Sequence, residues 1–478
     1  MTFNSITFLV FYLIVSLLLL ITKIDFKLKK EKVLFIRHMI LFISSYVFYG
    51  WWNWKCAFLM FGLTFIAYFC SYFLEKTNKK IFLYAGVVFP LLVLGVFKYF
   101  NFFIDSFTYM LGITRPGSLN IILPVGISFY TFQSMSYTLD VYRKEIKCEK
   151  SFLKVGLYIA FFPQLVAGPI VKAKEFIPQL YEDRNINWAG IKEGIQIFVF
   201  GLFKKIVIAD NVSVCVDVIF KAPQNFHALS IILGVIGYSI QIYCDFSGYS
   251  DMAIGCAKGL GYDLSRNFNM PYISKNISGF WKRWHISLST WLQEYLYISL
   301  GGNRKGTVRT YINLFLTMLI GGLWHGAAWT FVAWGALHGV ALCVHKLWMK
   351  VTGHGKNYKG TLLGNIFSML ITYVFVAFCW IFFRAENFET AKAVILGIVT
   401  WQNGIVYLSS WAIFGIVCTL VSTFVACAKA YKEKTEINGF YLLLDLRTVL
   451  GMTVLFVAIG MCIALSYTGS SPFIYFQF

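Results

Sequence analysis

The run ITFLVFYLIVSLLLLIT, Ile6 to Thr22, carries no charge and is long enough to cross the hydrocarbon core of a bilayer. It has no basic start and no small-residue cleavage site, so it indicates a retained span rather than a signal peptide. Comparable apolar runs follow around residues 33 to 51, 56 to 74, 81 to 98, 121 to 139, 152 to 168, 191 to 209, 228 to 243, 310 to 324, 327 to 346, 362 to 383, 409 to 427 and 449 to 467. They predict an all-α, polytopic integral membrane protein with about ten to thirteen transmembrane helices.

The composition agrees with a membrane protein and argues against a nucleic-acid partner. Of 478 residues, 58% are hydrophobic and only 13% are charged, against about 25% in soluble domains. The net charge of +20 comes from short basic loops such as Lys27 to Lys32, Glu75 to Lys80 and Arg143 to Lys150, which is typical of a cytoplasmic face. The polar stretches are too short to enclose a soluble core, so residues 1–478 are expected to form a single membrane domain.

The segment FWKRWHISLSTWLQEYLYISLGGNRKG, Phe280 to Gly306, is too polar for an ordinary span. Read as one helix, Phe280 to Tyr297 has its aromatic residues on one face, which predicts a helix lying at the membrane interface with tryptophans at headgroup depth. The glycine-rich turn that follows contains Asn303, Arg304 and Lys305, which are suited to a cytoplasmic loop that meets phosphates.

Three histidines are candidate site residues. His325 is the fifth residue of the motif GGLWHG and lies 16 residues after Arg309, a climb of roughly 24 Å along a helix. The surrounding glycines suggest that another molecule can approach its ring. His338 lies in the next apolar run and meets His325 only if the chain turns between them. His285 lies at the edge of the tryptophan face.

Two acidic residues, Asp245 and Asp251, follow an apolar run in QIYCDFSGYSDMAIG. Ionisable groups in such places usually face a cavity or a partner. The small residues around them fit a packed bend with an internal hydrogen bond equally well, and the sequence leaves both interpretations open. No acid and histidine set has the spacing of a zinc or iron site, so no metal is expected.

Several long motifs resemble the membrane-bound O-acyltransferase family, above all its bacterial branch of alginate and peptidoglycan O-acetyltransferases and D-alanyl exporters. They are LPVGISFYTFQSMSYTLDVYR, FFPQLVAGPIVKAKEF, QIYCDFSGYSDMAIG, NFNMPY, GGLWHGAAWTFVAWGALHG and SPFIYFQF. The resemblance implies a funnel of transmembrane and re-entrant or interfacial helices. It also implies that His325 is catalytic and that His285 and His338 match two further histidines of the branch.

The resemblance further implies the reaction: an acyl group passes from a cytoplasmic thioester to a hydroxyl outside the bacterial cytoplasmic membrane. Acetyl-CoA is the expected donor substrate, and a charged acyl carrier protein for D-alanyl transfer is the alternative. The expected acceptor is a separate exported or membrane-anchored protein that passes the group to an extracellular glycan. A transporter or flippase, and a structural scaffold for a secreted enzyme, are the alternatives from other classes, with less support from the motifs.

Overall fold

The computed structural model describes residues 1–22, 29–114, 117–119, 121–184, 186–353, 360–433, 444–467 and 473–474. Part of the predicted basic loop at Lys27 and most of the motif SPFIYFQF lie outside these ranges. The described residues form helices, turns and one isolated bridge between Phe226 and Ile405, without any strand.

Nineteen α-helices are present in the described ranges. In chain order, α1 to α19 are Ile6–Ile21, Lys30–Gly50, Trp54–Thr77, Lys80–Leu94, Phe100–Leu111, Ile127–Tyr142, Phe152–Ala160, Ala173–Phe176, Trp188–Leu202, Asp210–Lys221, Ala228–Gly259, Ile277–Trp281, Ile286–Trp291, Thr307–His325, Trp329–Thr352, Leu362–Arg384, Phe388–Val399, Ser410–Glu433 and Val449–Ala464. Three π-helical segments, Gly95–Tyr99, Phe203–Ala209 and Leu292–Tyr297, adjoin α4, α9 and α13.

Seven of the described helices are long and apolar enough to cross a membrane. They are Lys30–Gly50, Trp54–Thr77, Lys80–Leu111, Ala228–Gly259, Trp329–Thr352, Leu362–Arg384 and Ser410–Ala430. Ile6–Ile21 and Val449–Ala464 are shorter apolar helices. The all-helical membrane class predicted from the sequence is confirmed.

The chain divides into two compact units. The first consists of Met1–Phe198 and Tyr249–Ser265, and the second of Val199–Gly248 and Arg266–Phe478. In the first unit α6 packs against α3 and α4, with Thr138 against Gly86. Arg184 of this unit bridges Glu182 and Asp263, at 2.8 and 2.5 Å. All three candidate histidines belong to the second unit.

The second unit is organised around an antiparallel hairpin of α14 and α15. The two helices approach so closely that a Cβ on Gly322 would lie 2.4 Å from the Phe331 carbonyl oxygen. A Cβ on Gly335 would lie 2.5 Å from the Met318 carbonyl oxygen. Because real Cβ atoms do not approach backbone atoms this closely, these two positions require glycine.

The prediction of one interfacial helix from Phe280 to Tyr297 is wrong. The structure has α12 and α13 with a break between them, where His285 adopts a left-handed φ of +41°. The extended chain at Asn267 and Asn269 causes the break, because it bonds the backbone of Ile286 and Arg283 at 2.8 Å each. These hydrogen bonds replace those that a continuous helix would make.

The tryptophans of this stretch, Trp281, Trp284 and Trp291, are buried within the protein. Trp284 is 1% exposed and its ring lies 4.9 Å from that of Trp380 and 5.0 Å from that of Phe268. The spacing of aromatic residues in this stretch therefore reflects packing against other parts of the protein.

Asp245 lies within α11, which continues without interruption from Ala228 to Gly259. The packed bend, one of the two interpretations that the sequence left open, does not appear as a break in this helix. The small residues nevertheless allow close approach, since a Cβ on Gly248 would lie 2.6 Å from the Gly201 carbonyl oxygen. Asp245 itself forms an ion pair with Lys205 at 2.5 Å.

Replacing Gly322 with alanine should destabilise the hairpin, because the obstructing atom is a backbone carbonyl that cannot swing away. We expect a loss of about 1–3 kcal/mol, as for other overpacked positions, measured as a lower melting temperature in detergent. Gly62→Ala is the control, since nothing lies within 4 Å of a Cβ there. Equal melting temperatures for the two variants would contradict this description of the hairpin.

Candidate active site

The hairpin carries two of the three predicted histidines. His325 is the last residue of α14, the chain reverses at Gly326 to Ala328, and His338 lies in the third turn of α15. Both are buried, with 2% and 0% of their surface exposed. The reversal meets the condition drawn from the sequence, that the chain must turn for both histidines to share a site.

The glycines around His325 allow other parts of the protein to pack closely against them. A Cβ on Gly326 would lie 2.1 Å from the Phe331 ring, and one on Gly321 would lie 3.0 Å from Leu292. With Gly322 closed by the Phe331 carbonyl, the hairpin and its neighbours fill this space. The protein thus occupies the space left by the missing side chains at these three glycines, and the approach of another molecule to the imidazole stays a prediction.

Aromatic rings surround the His325 imidazole. The ring centroids of Trp324 and Trp334 each lie 5.0 Å away, and that of Phe383 lies 5.3 Å away, all in edge-on arrangements. The His285 imidazole lies at 6.3 Å. His325 is thus held by large, stiff side chains with a second imidazole beside it.

His285 reaches this position because of the break between α12 and α13. Its Nδ1 lies 3.1 Å from Asn267 Oδ1. The same oxygen accepts hydrogen bonds from the Ser287 backbone amide at 3.3 Å and the Ser287 hydroxyl at 2.9 Å. The Phe246 ring lies edge-on to the imidazole at 4.6 Å.

This arrangement determines where the proton of His285 lies. The Ser287 amide can only donate, so the Asn267 atom it contacts is the oxygen, and His285 Nδ1 must be the donor to it. A neutral ring then carries its lone pair on Nε2. His285 lies outside the seven candidate membrane spans. Burial lowers the pKa of its imidazole to about 3, which favours the neutral form.

His338 has the opposite tautomer. Trp281 Nε1 donates a hydrogen bond to His338 Nδ1 at 3.3 Å, so the neutral imidazole carries its proton on Nε2. This Nε2 has no hydrogen-bond partner among the described residues. The Trp334 ring lies 4.8 Å from His338 and 5.0 Å from His325. The Trp334 ring therefore contacts both histidines of the hairpin.

A polar cavity of about 760 Å³ adjoins the turn that follows His325. Ala327, Ala328 and Phe383 line it on this side. Its polar lining includes an ion pair between Arg384 and Asp217 at 2.6 Å. The Tyr238 hydroxyl and Gln241 Oε1 also belong to lining residues, and neither atom has a hydrogen-bond partner in the described part of the chain. These two atoms are themselves buried, whereas the Arg384–Asp217 pair is accessible and can bind a hydroxyl-bearing molecule.

The predicted phosphate-binding loop lies at the other end of α14. Asn303 Oδ1 accepts hydrogen bonds from the Tyr297 hydroxyl at 2.5 Å and from Lys346 Nζ at 3.0 Å. Arg304 and Lys305 are exposed. The 19 residues of α14 separate this loop from His325 by roughly 28 Å at 1.5 Å per residue. The loop and the histidines are therefore distinct parts of the second unit.

Some residues of the site were missed in the sequence. Asn267 and Trp334 were noted only as parts of longer motifs, and Arg384, which follows the apolar run at residues 362 to 383, was not noted. The two asparagines of NFNMPY, Asn267 and Asn269, were a usable signal for a polar site. The pairing of Arg384 with Asp217, 167 residues apart, had none. No group of three or more metal-ligating side chains occurs within the described ranges.

Replacing Asn267 with leucine should destabilise the protein, because three buried donors lose their common acceptor. Unsatisfied buried donors cost about 1–3 kcal/mol each, so chemical denaturation should occur at a lower denaturant concentration. Asn267→Asp is the matched control, since a carboxylate accepts the same hydrogen bonds. If the leucine variant were as stable as the aspartate variant, Asn267 would not hold His285.

The central part of the chain matches a family model. Residues 143–383 match the model described as MBOAT, membrane-bound O-acyltransferase family. This range is about half of the chain and includes His285, His325 and His338, together with Asn267 and Trp334.

Curated bacterial relatives extend the similarity beyond that range. The probable alginate O-acetylase of Pseudomonas putida is 37% identical over 469 residues, 92% of this chain and 94% of the relative. The peptidoglycan O-acetyltransferase of Helicobacter pylori is 40% identical over 389 residues, 75% and 73% of the two chains. The teichoic acid D-alanyltransferase of Bacillus subtilis is more distant, 27% identical over 56% of this chain and 71% of the relative. The chain belongs to the membrane-bound O-acyltransferase family and is a multi-pass membrane enzyme that transfers acyl groups.

Proposed function

We propose that this enzyme transfers an acetyl group from a cytoplasmic thioester to a hydroxyl on the far side of the membrane, for O-acetylation of an extracellular or cell-wall polysaccharide. The names of the relatives at 37% and 40% identity, an alginate O-acetylase and a peptidoglycan O-acetyltransferase, support acetyl as the group. The observation that carries the proposal is the position of His325, buried among aromatic rings and two residues from the lining of a polar cavity.

His325 is the proposed general base. It removes the proton of the acceptor hydroxyl while the hydroxyl oxygen attacks the thioester carbonyl carbon. The tetrahedral intermediate carries its negative charge on the former carbonyl oxygen, which needs a hydrogen-bond donor. Collapse of the intermediate breaks the carbon–sulfur bond, and the proton held by His325 passes to the leaving thiolate. The products are an O-acetyl ester and a free thiol.

The other two histidines have different proposed roles because their tautomers differ. His338 presents an N–H at Nε2 and is suited to donate to the carbonyl oxygen. Neutral His285 has its lone pair on Nε2 and is suited to accept from the acceptor hydroxyl or to orient His325. The hydrogen bonds from Trp281 to His338 and from His285 to Asn267 support this division.

The polar cavity beside the turn is the proposed binding site for the acceptor. Its volume of about 760 Å³ is within the usual range of sites for small molecules, about 300–1,000 Å³. The Arg384–Asp217 pair in its lining offers hydrogen-bond partners for hydroxyl groups. A hydroxyl on a slender side chain or a terminal sugar fits such a volume, whereas a hydrated polymer would lose much of its solvation on entry.

Acetyl-CoA is the proposed donor substrate. Asn303, Arg304 and Lys305 form an exposed polar loop, and Lys346 on α15 adds a further cation beside Asn303. Cations and amides of this kind suit the phosphates of a nucleotide thioester. A charged carrier protein, as in D-alanyl transfer, is the alternative donor, and the lower identity to the D-alanyltransferase makes it the second choice.

We also propose that residues 1–478 act as one domain with about ten to thirteen membrane passes in the bacterial cytoplasmic membrane. The apolar helices Ile6–Ile21 and Val449–Ala464 support a count above seven. The funnel of spanning and re-entrant helices rests on the family resemblance.

Replacing His325 should abolish transfer. We expect His325→Ala and His325→Gln to lower kcat by about 10²–10⁴-fold, the usual contribution of a general base, measured as acetyl transfer in vesicles supplied with acetyl-CoA or, in parallel, with a charged carrier protein. The glutamine variant avoids an empty space among the aromatic rings. The control is His227→Asn in the loop before α11, where a side-chain acceptor for the Leu229 amide is retained. Near-normal turnover by both His325 variants would exclude His325 as the base.

An exported or membrane-anchored partner protein is the proposed first acceptor, which then passes the acetyl group to the glycan. The described loops contain no soluble domain that could hold a polysaccharide. We therefore expect the purified enzyme alone to leave the mature polymer unmodified, and deletion of the gene to reduce the base-labile ester content of the glycan without changing its amount. Esterification of the polymer by the enzyme alone, at the cellular rate, would refute the need for a partner.

A further inference from the structure

A cluster of three charged side chains lies buried in the second unit. Lys205 Nζ lies 2.5 Å from Asp245 Oδ1 and 2.6 Å from Asp210 Oδ1. Lys205, Asp245 and Asp210 are 4%, 3% and 6% exposed. Lys205 belongs to the π-helical segment Phe203–Ala209, a type of helical irregularity that is frequent at functional sites.

Burial of these charges needs an explanation other than stability. The loss of hydration on burying an ion pair often exceeds the attraction gained, so such a pair is a poor device for stabilising a fold. What a buried pair supplies is a fixed geometry, because each charge must remain beside its partner. Here the fixed element is Asp245 on α11, tied to the π-helical segment.

Asp245 also anchors a segment close to the end of the sequence. The Ile474 backbone amide donates a hydrogen bond to Asp245 Oδ2 at 2.9 Å. The Phe473 ring lies 5.9 Å from that of Phe246. Phe473 and Ile474 are each 4% exposed. Two successive residues therefore dock on Asp245 and Phe246, one by a hydrogen bond to a carboxylate and the other by ring packing.

Phe246 connects this docking site to the candidate active site. Its ring meets the His285 imidazole edge-on at 4.6 Å, and the Phe268 ring lies 4.9 Å from Phe246 on another side. His285 in turn lies 6.3 Å from His325. Ile474 also lines the polar cavity, together with Phe383, which contacts His325. Phe473 is thus linked to His285 by ring contacts through Phe246, and Ile474 lines the same cavity as Phe383, which contacts His325.

We propose that Phe473 and Ile474 are positioning residues for the His285–His325 pair, held in place by the Lys205–Asp245 ion pair. Ile474 fixes the segment on Asp245, and Phe473 presses Phe246 against His285. The orientation of His285 relative to His325 then depends on a segment about 190 residues away in the sequence. This inference rests on the proposed function of the histidines, but the docking can be tested without it.

Two pairs of variants test the positioning role. Ile474→Pro removes the amide that donates to Asp245, and Ile474→Val keeps it. Phe473→Ala removes the ring, and Phe473→Leu retains most of its bulk. We expect the proline and alanine variants to lower kcat for acetyl transfer about tenfold or more, with an unchanged KM for the thioester, while the valine and leucine variants stay near the wild type.

The second measurement is the chemical reactivity of His285, which can be followed without an assay of acetyl transfer. Diethyl pyrocarbonate modifies accessible neutral imidazoles, and mass spectrometry gives the rate for each histidine. In Ile474→Pro and Phe473→Ala we expect His285, which is fully buried in the wild type, to react about tenfold faster, while the rate at His38 in the first unit stays the same. Loss of protection at His285 alone supports the proposal even if the wild type proves not to transfer acetyl groups.

Two outcomes would overturn the proposal. One is wild-type protection of His285 together with wild-type kcat in both test variants. The other is an equal rise in reactivity at His38 and His285 with a lower melting temperature, which would assign the segment a general role in stability.

Discussion

The close contact between α14 and α15 at Gly322 and Gly335 is the constraint on which the site depends. Each glycine faces a backbone carbonyl of the opposite helix, so the distance between the helices is set by backbone atoms. That distance places Trp334 between His325 and His338 and brings Phe331 over Gly326. The geometry of the histidines therefore follows from a backbone contact that involves none of the candidate catalytic side chains.

A second principle is that the polar groups of this apolar unit determine each other's chemistry. Asn267 makes His285 Nδ1 a donor, and Trp281 makes His338 Nδ1 an acceptor. Two histidines of similar burial therefore present the same ring nitrogen, Nε2, in different protonation states, as a lone pair on His285 and as an N–H on His338. The same pairing of buried polar groups joins Lys205 to Asp245 and Asp245 to Ile474. These hydrogen bonds and ion pairs fix the positions of the buried polar side chains and of the backbone segments that they contact.

The sequence predicted the parts of this account that depend on local pattern. Apolar length predicted the helical membrane class, and the spacing from Arg309 to His325 agrees with an uninterrupted α14. It could not predict the break at His285, because that break results from hydrogen bonds with Asn267 and Asn269. The contacts of the glycines could not be predicted for a related reason: a glycine permits close approach, but only the fold decides which group occupies the space beside it.

We propose that acyl transfer takes place at His325, between its aromatic neighbours and the polar cavity. The most direct test is an electron cryomicroscopy structure of the enzyme with a non-hydrolysable acetyl thioester analogue. We expect the acyl carbonyl carbon within about 3–3.5 Å of an acceptor oxygen that is hydrogen-bonded to His325. An analogue bound in a defined pose with its acyl group remote from all three histidines would contradict the account.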